Sequence, residues 1–202
     1  MNVFFTSKGK KVIIVYYDIV INGTFYYHED VYDLVKSKYL TNEEYDEIMS
    51  AFSGMPELDE TIEEHARSED PDVRFVLASL GFATDILVSD PDPTVRAEVA
   101  HIGDHLEKLV NDPNPVVRSR VASNRYGLDI LVNDTNHIVR EVVAEQGYGL
   151  EKLVNDPSPN VRRAVAEKGY GLDSLINDED FFVRETAKKV LSERKNTPSI
   201  LW

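Results

Sequence analysis

Residues 90–111 read DPDPTVRAEVAHIGDHLEKLVN, and residues 112–133 read DPNPVVRSRVASNRYGLDILVN. The same phrase returns from Asp134 and from Asp156, and divergent copies begin at Ser68 and Asp178. The arginine of each Val-Arg pair stands at Arg74, Arg96, Arg118, Arg140, Arg162 and Arg184, a constant step of 22 residues. A fixed period of this length marks a repeat array, in which one unit is too small to bury its own apolar face and stacks on its neighbours.

Each unit reads as two short helices. Asp70, Asp92, Asn114, Asn136, Ser158 and Asp180 share one register. All are residue types whose side chains accept a hydrogen bond from the first turn of a helix. Proline follows in four units, at Pro71, Pro93, Pro115 and Pro159, where its missing N–H costs nothing. In the second unit Val95 and Val99 share a face, and Ala100, Ala122, Ala144 and Ala166 recur beside such pairs. Gly103, Gly147 and Gly169 mark the helix end, where a left-handed residue is expected. A second, shorter helix follows, with Leu106, Leu109 and Val110 at helical spacing and Asn111, Asn133, Asn155 and Asn177 after it.

The pattern Asp-Pro-x-Pro-x-Val-Arg-x-x-Val-Ala, then Leu-x-x-Leu-Val-Asn-Asp, resembles the leucine-rich repeat variant, a branch of the HEAT-like α-solenoids, over about residues 68–190. The resemblance implies a mainly α fold: a right-handed α-solenoid of about six two-helix repeats. It implies a scaffold and no particular activity.

Residues 1–56 are of another kind and are expected to form a small α+β cap. Val12–Ile21 is rich in Val, Ile and Tyr, and Asn22-Gly23 precedes Thr24-Phe25-Tyr26-Tyr27. Asn-Gly between β-prone runs signals a hairpin, so a sheet of two or three antiparallel strands is expected. A helix is expected over Asp30–Tyr39, and another over Asn42–Phe52, opened by a Thr41/Glu44 capping box. Residues 57–67 read as a joining helix, 68–202 as the array, and 192–202 as its tail.

The chain has 202 residues, no cysteine and a formal charge of −14. Asn42–His65 holds nine acids and no lysine or arginine. That balance disfavours a general phosphate-binding surface and suits a partner with a basic surface. The amino-terminal residues lack the order of a signal peptide, and no apolar run is long enough to span a bilayer. A cytoplasmic protein is expected.

Three rows of residues invite a functional reading. The six arginines could form a phosphate stripe. However, Asp90, Asp112, Asp134, Asp156 and Asp178 stand six residues before five of them, and in HEAT-like arrays such residues pair between neighbouring units. The resemblance therefore favours an internal ladder. Tyr126, Tyr148 and Tyr170 recur in Tyr-Gly-Leu triplets, with Gly127, Gly149 and Gly171 at the turn. They read either as rings closing the gaps between units or as an aromatic contact edge. Asp129, Glu151 and Asp173, with Glu107 before them, follow in the short helices. They suit its dipole and make that edge acidic. His101 and His105 are four apart, but without cysteine or an identifiable third ligand no metal is expected. No Walker loop, nucleophile elbow or dinucleotide fingerprint occurs, so neither cofactor nor catalysis is expected.

The leading expectation is a non-catalytic protein-interaction scaffold. The second is an acidic inhibitor occupying a nucleic-acid-binding groove on another protein. A HEAT-like nucleic-acid-binding or repair protein ranks third.

Overall fold

The computed structural model describes residues 2–15, 18–27, 39–53 and 62–196. The helix expected over Asp30–Tyr39, the break after Ser53, the first half of the joining helix and the terminal segment beyond Asn196 fall wholly or largely outside these residues. The described chain is mainly helical, with a small sheet. It divides into two compact units, residues 1–99 and 100–202.

In the first unit, β1 (Asn2–Phe5), β2 (Lys11–Val15), β3 (Asp18–Ile21) and β4 (Thr24–Tyr27) form an antiparallel sheet in chain order. The expected two or three strands are four. The apolar run Val12–Ile21 divides into β2 and β3, which pair with Val12 opposite Ile21 and Val15 opposite Asp18. The turn between β3 and β4 has positive φ at both Asn22 (49°) and Gly23 (81°), the backbone that a two-residue type I′ hairpin demands.

Both faces of the central strands are covered, which is why their sequence is continuously apolar rather than alternating. Val12, Ile14, Ile19 and Ile21 form one core with Leu40 and with Ile48 of α1 (Asn42–Ser53). Helix α1 opens with the capping box: the Glu44 amide donates to Thr41 Oγ1 at 3.2 Å, and the Thr41 amide to Glu44 Oε2 at 3.0 Å. Ile13 and Val20 on the opposite face line a cavity of about 200 Å³ with Phe75 and Val76 of the first repeat helix. Lys11 bridges the same two elements, 2.7 Å from Asp70 and 2.5 Å from Asp72. Because the sheet rests on a repeat helix, the boundary of compactness falls beyond the 57–67 join, inside the helix Pro93–His101.

The repeat elements are α3 (Pro71–Ser79), α4 (Thr84–Leu87), α5 (Pro93–His101), α6 (Leu106–Leu109), α7 (Pro115–Ser123), α8 (Leu128–Leu131), α9 (His137–Glu145), α10 (Leu150–Leu153), α11 (Pro159–Glu167), α12 (Leu172–Leu175) and α13 (Phe181–Asn196). A single turn, α2 (Ile62–His65), precedes them. The second helix of each complete unit is one turn long. The amides of Asp72, Thr94, Val116, Ile138 and Phe182 donate to the side chains of Asp70, Asp92, Asn114, Asn136 and Asp180. Ser158 departs from the series and makes no side-chain capping bond.

In the second unit α7 packs on α9, α9 on α11, and α11 on α13. On these helices Val117 and Val121, Val139 and Val143, Val161 and Val165, and Val183 and Ala187 are all fully buried. Leu131, Leu153 and Leu175 of the short helices are buried as well. Burying a Val or Leu side chain contributes about 1.5–3 kcal/mol, so the recurring apolar positions supply most of what holds successive units together.

Candidate interaction surface

The arginine row is drawn inward. Arg74 Nε and Nη2 donate to the two carboxylate oxygens of Asp90 at 2.6 and 3.0 Å. Arg118 does the same to Asp134, Arg140 to Asp156 and Arg162 to Asp178, at 2.6–2.9 Å. The partner is the aspartate 16 residues ahead, one unit on. The aspartate six residues behind contributes its backbone instead: Nη1 of Arg118, Arg140 and Arg162 donates to the carbonyl of Asp112, Asp134 and Asp156. Arg96 and Arg184 make the same backbone bond, to Asp90 and Asp178.

Each aspartate is anchored further by an amide two residues on, as Asn136 N–H is to Asp134 and Ser158 N–H to Asp156. Burial pushes the Asp134 and Asp156 carboxyls up. Their arginine hydrogen bonds, the amide and the surrounding guanidinium charge outweigh burial and hold both below the usual range. At Asp178 the Arg162 hydrogen bonds are the largest influence and also act downward. Bidentate, carbonyl-anchored guanidinium groups have little left to offer a phosphate.

The tyrosine row lies outward. Tyr126, Tyr148 and Tyr170 are 42%, 41% and 42% exposed. Their near-identical exposure follows from identical local geometry: Gly127, Gly149 and Gly171 all have φ near +60°. A Cβ at any of these glycines would lie 2.5 Å from Cγ2 of Val110, Val132 or Val154 in the preceding unit. Only glycine fits there without displacement. Asp129, Glu151 and Asp173 are exposed in the following turn, as is Glu107. The structure thus presents aromatic and acidic side chains from the same segments, at one register, in three successive units.

Other exposed apolar side chains were not singled out by sequence reading. Val116, Ile138 and Phe182 occupy the second position of their helices and are about half exposed or more, and Phe181 stands beside Phe182. A signal was present: the matching positions are Asp72, Thr94 and Asn160 in the other units, so apolar residues there answer no demand of the fold.

The remaining candidates take other roles. His101 ends α5 and is exposed, whereas His105 sits half-buried in left-handed backbone beside Asp104. Among the described residues no group of three or more His, Cys, Asp or Glu is placed to hold a metal ion. The most perturbed carboxyl is Glu44. Burial pushes it up, but hydrogen bonds from Lys10, the Thr41 amide and Thr6, together with the Lys10 charge, bring it down to about 2. A carboxylate held so firmly ionised is a poor general acid or base near neutrality. No described helix is long and apolar enough to cross a membrane. No family model, curated protein or solved structure matches the chain.

Proposed function

We propose that this chain is a non-catalytic protein-interaction scaffold of the α-solenoid kind, at work in the cytoplasm, whose contact edge is the row Tyr126, Tyr148 and Tyr170 with the acids Asp129, Glu151 and Asp173. The observation that carries the reading is the recurrence of a two-fifths exposed tyrosine at one register in three successive units. Tyrosine offers apolar area and a hydroxyl at low conformational cost, which is why it is enriched at interfaces. The ladder arginines are paired inward, and Asp129, Glu151 and Asp173 stand exposed along that edge beside Arg125 and Lys152; with the chain's charge of −14 this favours a partner with a basic surface.

The test is affinity capture by wild type and by the triple variant Tyr126→Ala, Tyr148→Ala, Tyr170→Ala, at low and high salt, with melting temperatures measured on both. The expected result is a partner retained by wild type and lost by the variant while the variant remains folded. Partners captured equally by both proteins would sink the proposal. A nucleic-acid-binding partner held only at low salt would favour the inhibitor reading, because screening weakens exposed charge pairs.

A further inference from the structure

Among the described residues, the arginine register leaves a fork open at its last member, Arg184. Arg74, Arg118, Arg140 and Arg162 each close Nε and Nη2 on a carboxylate one unit ahead. Arg184 is held in the same manner at its base, its Nη1 donating to the carbonyls of Asp178 (2.6 Å) and Glu179 (2.9 Å). The position 16 residues ahead of it is Ile200, not aspartate. Among the described residues, Nε and Nη2 of Arg184 meet no carboxylate. The acids around it are engaged elsewhere: Asp178 holds Arg162, Asp180 accepts the amides of Phe182 and Val183, and Glu185 pairs with Lys188.

Beside the fork lies the largest exposed aromatic surface among the described residues. Phe181 and Phe182 are 58% and 66% exposed, with ring centroids 5.5 Å apart in an edge-on arrangement. The Arg184 guanidinium sits 5.9 Å from the Phe181 centroid. The ring gives the guanidinium an apolar wall, and a charge-assisted pair gains strength where water is partly excluded.

We infer that Arg184 with Phe181 and Phe182 is a binding site for a segment of another protein that presents an aspartate carboxylate next to an apolar side chain. The occupied copies show the ligand this geometry takes: a carboxylate at the end of a Leu-Val-Asn-Asp, Leu-Ile-Asn-Asp or, for Arg74, Leu-Val-Ser-Asp turn, received bidentately. A second copy of the chain does not supply it through the ladder. At the register where the later units carry aspartate the first unit has Ser68, whose hydroxyl already accepts the Asp70 amide. The site uses different residues from the tyrosine row, and either can fail without the other.

The test uses the intact protein and an acetylated, amidated peptide copying residues 109–115, Leu-Val-Asn-Asp-Pro-Asn-Pro, with a control whose aspartate is replaced by asparagine. The readout is the ¹⁵N-edited NMR signal of Arg184 Nε–H, assigned through its contact with the Phe181 ring, so that no variant is required. The expected result is a saturable shift with the aspartate peptide and binding about tenfold weaker or less with the control. Arg184→Gln and Phe181→Ser each weaken binding in variants that stay folded. Equal binding of the two peptides overturns the inference. So does a signal that already stands at the bound position in the free protein and moves when residues 197–202 are removed, which would assign the fork to the chain's own terminal segment. Competition between peptide binding and concentration-dependent self-association would assign it to a second copy and also overturn the inference.

Discussion

A single guanidinium joins two repeats and engages three acceptor groups at once. Arg140 clamps the Asp156 carboxylate of the next unit and donates to the Asp134 and Thr135 carbonyls of its own. Removing it leaves Asp156 buried with its amide partner but without its counter-charge. Arg140→Ala is expected to destabilise the protein by about 3 kcal/mol, since breaking a buried pair costs more than the pair contributes net. Arg140→Lys keeps the charge but loses the fork, so urea unfolding should place it between wild type and Ala. Equal stability of all three proteins would show that Asp156 is rehydrated at no cost. Gly149 makes the complementary point. Its φ of +62° and the 2.5 Å approach of any Cβ to Val132 Cγ2 make Gly149→Ala expected to cost about 1–3 kcal/mol. Gly147→Ala, whose Cβ meets nothing within 4 Å, should cost only the backbone strain of its own positive φ, about 1 kcal/mol. A difference between the two alanine variants isolates the close approach.

Helix ends were legible because their chemistry is local. Asp70, Asn114 and Asn136 cap as residues of their type do, and a capping residue needs to know only its own next two amides. Asn136 accepts the Ile138 amide at 2.9 Å, whereas Ser158, at the same register, makes no such bond. Thermal denaturation should therefore show Asn136→Ala less stable than wild type by about 1 kcal/mol and Ser158→Ala close to neutral. Equal losses at the two sites would mean that the register, and not the bond, carries the stability. The strands were less legible. Val12–Ile21 holds two strands of one hairpin, and the residues between them are Tyr16 and Tyr17, which carry none of the turn signals that Asn22-Gly23 carries. The continuous apolar run is a consequence of cover on both faces by α1 and α3, and the second cover comes from a helix more than fifty residues away in sequence. The partners Lys11–Asp70 and Thr6–Glu44–Lys10 are also distant in sequence, by more than thirty residues in each case, and no periodicity points to them. Left-handed backbone at Ala83, His105 and Arg125 escaped for a related reason: the repeat geometry imposes it where no glycine advertises it.

Across the whole molecule, hydrogen-bonded carboxylates make stability a function of acid. Glu44, Asp70, Asp92, Asp134, Asp156 and Asp178 all titrate below their ordinary values in the folded protein. A group with a lowered folded pKa binds fewer protons folded than unfolded, so its stabilisation is complete above the unfolded value and disappears as pH falls through the folded one. For Glu44 that window runs from the ordinary 4.5 down to about 2. For the aspartates it begins at the ordinary 3.8 and extends below. Glu145 acts in the opposite sense. Burial, with Glu141 and Glu167 nearby, raises its pKa, so its protonation favours the folded state, but one such group stands against six. Lys11 acts at the alkaline end: burial lowers its pKa, the bonds to Asp70 and Asp72 raise it by more, and the net is upward. Its contribution is complete below 10.5 and is lost as pH rises through the folded value. The melting temperature should therefore be nearly constant from about pH 7 to about pH 5 and fall steeply beneath it. Glu44→Gln removes the largest resolved single contribution. The variant should melt lower than wild type at neutral pH, and the gap should narrow as pH falls from 4.5 toward 2, because wild type loses over that range what the variant never had. A gap that stays constant with pH would show that Glu44 acts through shape and hydrogen bonding alone, and that the acid response belongs to the aspartates of the repeats.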